Sequence, residues 1–171
     1  MSYGYGWSVT PLQLAHAYAT IGAMGVSRPV SLTKVAGPVA GERVLSEKSS
    51  RTLVKLLESV VSPTGTGKQA AIPGYRVAGK TGTAKKAGVG GYSSNHYVGV
   101  FGGVAPATNP RLAAVVVIDD PAAGHYYGGD VAAPVFSVVV GGALRLMGVK
   151  PDDIDESRQD PFQPVQTLAR R

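Results

Sequence analysis

The sequence predicts an α/β protein of the α+β kind: an antiparallel sheet covered by helices on both faces. Three observations carry that prediction. The apolar periodicity runs helix, strand pair, helix, three strands, helix, without the regular βαβ alternation of a parallel sheet. The last three strand candidates are separated by Gly-rich or Pro/Asn loops short enough to join antiparallel neighbours. The final helix is apolar nearly all round, as a helix buried against a sheet is.

Each element has its own signal. Thr10 followed by Pro11 is a helix start, Leu14, Tyr18 and Ile21 follow at helical spacing, and Gly22 to Gly25 end the run. Arg28 to Val35 alternates like a strand, with Glu42 to Leu45 as its hairpin partner. Ser46 caps a second helix whose apolar stripe is Leu53, Leu56, Leu57, Val60 and Val61, and Pro63 with Gly65 stops it. The three strands are Tyr75 to Ala84, Tyr97 to Val104 and Leu112 to Ile118. The last helix spans about Val131 to Met147. Its longest apolar stretch, Val131 to Leu144, is interrupted by Pro134, Gly141 and Gly142 and is shorter than the about 20 residues a bilayer needs. Residues 150–171 carry mixed charge and three prolines, and are expected to form a disordered tail behind a folded part of residues 1–149.

Seventeen Lys and Arg against eleven Asp and Glu leave a net charge of +6 and a pI near 9.7. Thirteen of those basic and six of those acidic residues precede Lys150. Such a chain prefers anionic company. With no cysteine, disulfides, thiolate metal sites and cysteine nucleophiles are excluded. His16, His96 and His125 have no metal-ligand spacing, so no metal or other cofactor is expected. Only 7% of residues are aromatic and no recognition motif appears, which argues against nucleic acid as a partner. The N-terminus has neither a basic start nor an apolar run, so any membrane anchor belongs to another part of the parent protein.

The most informative segment contains one lysine that fits two motifs. Gly74-Tyr75-Arg76-Val77-Ala78-Gly79-Lys80-Thr81 matches the phosphate-loop pattern, and the apolar run ending in Asp119 has the form of a Mg²⁺-holding strand. That reading makes the chain a nucleotide-binding protein. It needs a strand before Gly74 and a helix opening at Lys80. Pro73 stands where the strand should end, and Gly82, Gly88, Gly90 and Gly91 follow, each costing a helix about 1 kcal/mol. In the second reading Lys80-Thr81-Gly82-Thr83 lies on a strand beside a cleft. Lys80 brings charge, Thr81 and Thr83 bring hydroxyl donors, and Gly82 lets a peptide backbone lie against the strand. The Thr83 amide then faces a developing oxyanion. A non-catalytic carboxylate- or peptide-binding module uses the same residues.

K-T-G is a motif of penicillin-binding proteins and serine β-lactamases. GYGWSVTPLQLAHAYA, PGYRVAGKTGTAKK, VGVFGGVAPATNPRLAAVVVIDDP and GGDVAAPVF resemble, in that order, the C-terminal part of class B penicillin-binding proteins, and within them the division-specific septal D,D-transpeptidases of Gram-negative bacteria. The resemblance covers about residues 3–149 and implies an incomplete transpeptidase domain with the fold shared by serine β-lactamases. It implies an acyl-serine enzyme that cross-links peptidoglycan stem peptides and is trapped by β-lactams. Lys80, Thr81, Gly82 and Thr83 then bind the terminal carboxylate, with the Thr83 amide as half of the oxyanion hole. Tyr97, Tyr126 and Tyr127 become the aromatic wall. It further implies divisome membrane proteins as partners and the periplasmic face of the inner membrane as the location, through an anchor in the parent chain.

The family order is S-x-x-K, S-x-N, K-T-G, and only the third is in its place. Ser31-Leu32-Thr33-Lys34 matches the first, but inside a strand pattern instead of at a helix start. Ser93-Ser94-Asn95 matches the second, but follows K-T-G in a Gly-rich loop. Both are read as decoys, so the nucleophile is absent from this chain and the chain alone is expected to be inactive. Asp119-Asp120 is expected to end a strand before Pro121, Lys85-Lys86 to be a solvated loop, and Trp7 with Tyr3 and Tyr5 a packing anchor.

Overall fold

A computed structural model describes residues 8–37, 39–88, 91–121 and 124–153. Trp7, Tyr3 and Tyr5 lie outside them, as do residues 154–171. Helix α1 (Pro11–Gly22) starts as predicted. The Thr10 hydroxyl accepts from the Gln13 amide at 3.2 Å, while the Gln13 side chain accepts from the Thr10 amide at 2.8 Å. Strand β1 (Val26–Ser27) then pairs antiparallel with β2 (Glu42–Arg43).

The strand expected over Arg28 to Val35 does not form. Pro29 offers no amide to a ladder, and Leu32 is 97% exposed with nothing to cover it. Ser31 instead closes a local turn, donating to the Thr33 carbonyl at 2.8 Å and accepting from its amide at 3.2 Å.

Helix α2 (Glu47–Ser59) is capped by Ser46, whose hydroxyl accepts from the Ser49 amide at 3.0 Å. Its buried residues are Ser50 and Val54, with Leu57 packed beside Val54, while Leu56 of the predicted stripe faces solvent. The face is rotated because Ser50 donates its own hydroxyl to the Ser46 carbonyl at 3.1 Å and enters the core already satisfied.

Strands β3 (Ala78–Gly88), β4 (Gly91–Ala105) and β5 (Leu112–Asp119) form the main sheet in that order, antiparallel throughout. β3 begins later than Tyr75 because the Tyr75 amide closes a turn onto the Ile72 carbonyl at 2.9 Å. It also runs past Ala84, and β4 begins well before Tyr97. The register puts Asp119 opposite Val98, so beyond that point β3 and β4 continue as a two-stranded ribbon, with a bulge between Lys85 and Ala87.

Both sheet faces are covered, as predicted. On one, Phe101 and Ala105 pack with Phe136, Val140 and Leu144 of α4 (Ala133–Leu146), which follows the short α3 (Gly128–Val131). The Phe101 and Phe136 rings meet edge to face with centres 4.9 Å apart. On the other, Ala78 and Val104 pack with Tyr18 and Ile21 of α1 and with Val54 and Leu57 of α2. The Tyr18 ring lies directly over the bare backbone of Gly102, and burial pushes its phenol pKa up.

The last helix is buried on one side only. Val138 is 76% exposed and Leu146 92%, so the run that reads as apolar all round turns part of its surface outward. Taken together, α3 and α4 run from Gly128 to Leu146, 19 residues with mean hydropathy 1.4, enough by length and composition to cross a membrane, yet Ala133, Phe136 and Leu144 are packed against protein.

The chain beyond Lys150 starts as a strap. The Asp152 carboxylate accepts from the Arg76 amide (2.8 Å), the Thr108 amide (3.1 Å) and the Thr108 hydroxyl (2.7 Å). The amides of Asp152 and Asp153 donate to the Gly74 carbonyl. Residues 150–153 therefore brace the loop that leads into β3.

Candidate functional site

β3 is an edge strand, and its outer side is where the predicted residues gather. Gly82 pairs with Val100, and the Gly82 carbonyl lies with the Val100 amide and carbonyl in one cluster beneath Gly128. That cluster marks the pair as hydrogen-bonded across the ladder. Antiparallel alternation therefore turns the amide and carbonyl of Thr81 and of Thr83 to the open edge. The Lys80 ammonium curls round that edge, donating to the Thr81 carbonyl at 3.1 Å and reaching its hydroxyl at 3.4 Å. A cation, a hydroxyl and two backbone positions turned away from the ladder thus share one extended line. Such a line can take up a peptide strand ending in a carboxylate.

The hydroxyls of the two threonines are held from behind. Thr81 Oγ1 lies 3.2 Å from Thr66 Oγ1, and Thr83 Oγ1 accepts from the Gly128 amide at 3.0 Å. Gly129 comes against the Thr66 carbonyl, with Thr81 alongside, so no side chain fits at 128 or 129. Neither Thr66 nor Gly128 was identified as part of the site from the sequence. GGDVAAPVF suggested family likeness only, and a threonine between two glycines in a turn gives no signal.

The three tyrosines do come together. Tyr97 stacks on Tyr126 with ring centres 4.1 Å apart and planes 14° from parallel, and Tyr126 meets Tyr127 at 4.5 Å. The Tyr126 hydroxyl donates to that of Tyr127 at 3.4 Å. Tyr127 immediately precedes Gly128, so this stack and the Thr83 hydrogen bond belong to one stretch of chain.

Lys85 and Lys86 do not form a loop. Both lie in β3, and Lys86 pairs with Asp119 and Asp120 at 2.9 Å each. Asp120 also bonds His96 at 3.0 Å and adopts a positive φ of 50° as it leaves β5. His16 bonds the Arg28 carbonyl at 2.7 Å. Among the described residues no group of three or more metal-ligating side chains occurs.

The competing motifs are placed as well. Lys80 lies within a strand, so the helix a phosphate loop requires at that residue is missing and the nucleotide reading loses its geometry. Ser31 lies in an exposed turn, far from any helix start. Ser93-Ser94-Asn95 falls within β4 and not in a loop.

Comparison with known proteins gives a consistent picture. The family profile described as penicillin binding protein transpeptidase domain matches residues 1–141. The peptidoglycan D,D-transpeptidase FtsI of Escherichia coli K12 is 56% identical over 161 residues, which are 94% of this chain and 27% of that protein. The probable peptidoglycan D,D-transpeptidase PenA of Neisseria gonorrhoeae is 44% identical over 151 residues, 88% of this chain and 26% of its own. The solved transpeptidase domain of Burkholderia pseudomallei penicillin-binding protein 3 superposes with a TM-score of 0.81 at 48% identity, covering 89% of this chain and 46% of that one. The chain spans about a quarter of the length of these curated relatives.

Proposed function

The chain belongs to the penicillin-binding protein transpeptidase family and shares its fold, and from that premise we propose that it forms the carboxylate-binding and oxyanion side of a peptidoglycan D,D-transpeptidase cleft. The observation that carries the reading is the Lys80 ammonium wrapped round the open edge of β3 onto Thr81. In this reading Lys80, Thr81 and the Thr83 hydroxyl hold the terminal carboxylate of a stem peptide. The substrate backbone lies along Gly82, and the Thr83 amide faces the oxygen of the tetrahedral intermediate. Tyr97, Tyr126 and Tyr127 wall the cleft.

The attacking serine and its lysine come from elsewhere in the parent protein, since among the described residues no S-x-x-K stands at a helix start. A β-lactam enters the same cleft because its carboxylate and strained amide present the features of the dipeptide. Divisome partners and a place on the periplasmic face of the inner membrane follow for the parent in the same reading.

A fluorescent penicillin tests this. A transpeptidase domain containing the chain should retain the label after denaturation, and Lys80→Met should slow capture by about 10²-fold, the usual effect of deleting one electrostatic stabiliser. The chain alone should retain none. Label on the isolated chain, or a Lys80→Met domain as fast as wild type, would refute the assignment.

A further inference from the structure

The cluster at the end of β5 joins all three strands through one residue. The Asp120 amide donates to the Tyr97 carbonyl at 2.9 Å. Its two carboxylate oxygens divide, Oδ1 to His96 beside Tyr97 on β4 and Oδ2 to Lys86 on β3. Lys86 also holds Asp119. Asp120 holds these partners with a positive φ of 50°, a conformation that Asp tolerates better than most residues.

This clasp lies where the backbone ladder is weakest. β5 has stopped opposite Val98, and the β3–β4 register breaks between Lys85 and Ala87. Tyr97 stands at that point, paired with Lys85, whose ammonium is 5.9 Å from the Tyr97 ring centre. Exposed ion pairs contribute little to global stability. At a ladder break, however, they add side-chain ties between strands where the register is irregular. The strand they tie carries the Tyr97 ring that meets Tyr126.

We propose that Asp120 is a positioning residue, which fixes Tyr97 against Tyr126 and thereby sets how tightly the aromatic wall receives an acyl-donor ligand. The proposal rests on the reading of Tyr97 as part of the cleft. Asp120 touches no ligand itself. Its effect must therefore pass through Tyr97 and appear in ligand binding, leaving the acylation step untouched.

The test is a double-mutant cycle on a transpeptidase domain containing this chain, with fluorescent penicillin as the probe. Asp120→Gly keeps the positive φ and deletes the carboxylate; Asp120→Asn keeps the shape and deletes the charge. Asp120→Gly should lower the second-order capture rate by roughly three- to tenfold, the scale of one or two lost hydrogen bonds. The loss should lie in pre-acylation affinity, with the limiting acylation rate unchanged. Asp120→Asn should lose less. In a Tyr97→Leu background, itself slow, neither should lower the rate further. Should Asp120→Gly fail to fold, Asp120→Asn carries the same comparison. If Tyr97→Leu is slow but the Asp120 variants capture as fast as wild type, or if their losses multiply with it, the positioning role is overturned alone. If Tyr97→Leu is as fast as wild type, the cleft-wall reading falls and the proposal falls with it.

Discussion

Replacing Gly128 by Ala probes how closely α3 is pressed onto the β3–β4 ladder. A methyl there would run into the carbonyls of Val100 and Gly82 and lie 2.8 Å from the Val100 amide nitrogen, all rigid backbone. Forcing extra volume into such a contact costs about 1–3 kcal/mol. The displacement also weakens the 3.0 Å bond from the Gly128 amide to Thr83, for about another 0.5–1.5 kcal/mol. The expected loss is about 2–4 kcal/mol, or roughly 5–15 °C in melting temperature for a chain of this size. The control is Gly142→Ala in α4, where the added carbon meets nothing within 4 Å. There the better helix former should stabilise by about 0.5–1 kcal/mol. Urea unfolding followed by circular dichroism reads both. A Gly128→Ala loss below about 1 kcal/mol, or variants that shift in the same direction, would refute the close approach of α3 to the sheet.

Two further expectations concern the strap and the clasp. Asp152→Ala removes the acceptor for three donors and should destabilise by about 1–3 kcal/mol, with amide exchange at Arg76 and Thr108 accelerating first; unchanged exchange there would contradict the bracing role. Lys86, and secondarily His96, hold the Asp120 carboxyl below its ordinary value of 3.8. Its contribution is therefore complete above that pH and is lost as the pH falls through the lower folded value. Asp119 and then Asp120 hold Lys86 above 10.5, so its contribution is complete below that pH and is lost as the pH rises through the higher folded value. The melting difference between wild type and Asp120→Asn should shrink in acid and shrink with added salt; a difference that widens below pH 4 would reverse the assignment.

Much of this was legible in the sequence because local chemistry dictated it. Thr10-Pro11 with Gln13 fixes a helix start whatever surrounds it, and Val115 to Ile118 can only be a strand. K-T-G was legible as an edge strand for a negative reason: its glycines forbid the rival helix. What escaped was what arrives from a distance. The rotated face of α2 depends on Ser50 satisfying itself, and the absent strand after Arg28 on there being no surface to cover Leu32. Thr66, Gly128 and Asp152 meet partners 15 to 76 residues away in the chain, and no spacing rule encodes such a meeting.

The bare positions of β4 also limit what the chain can tolerate as it diversifies. Tyr18 occupies the space a side chain would need at 102, and Val131 occupies that at 99. Neither site can gain bulk unless a helix on the other layer gives some up in the same step. A mutagenesis library that varies these two positions singly should return only the parental residue, whereas paired changes with 18 or 131 open routes that single-site scanning never samples.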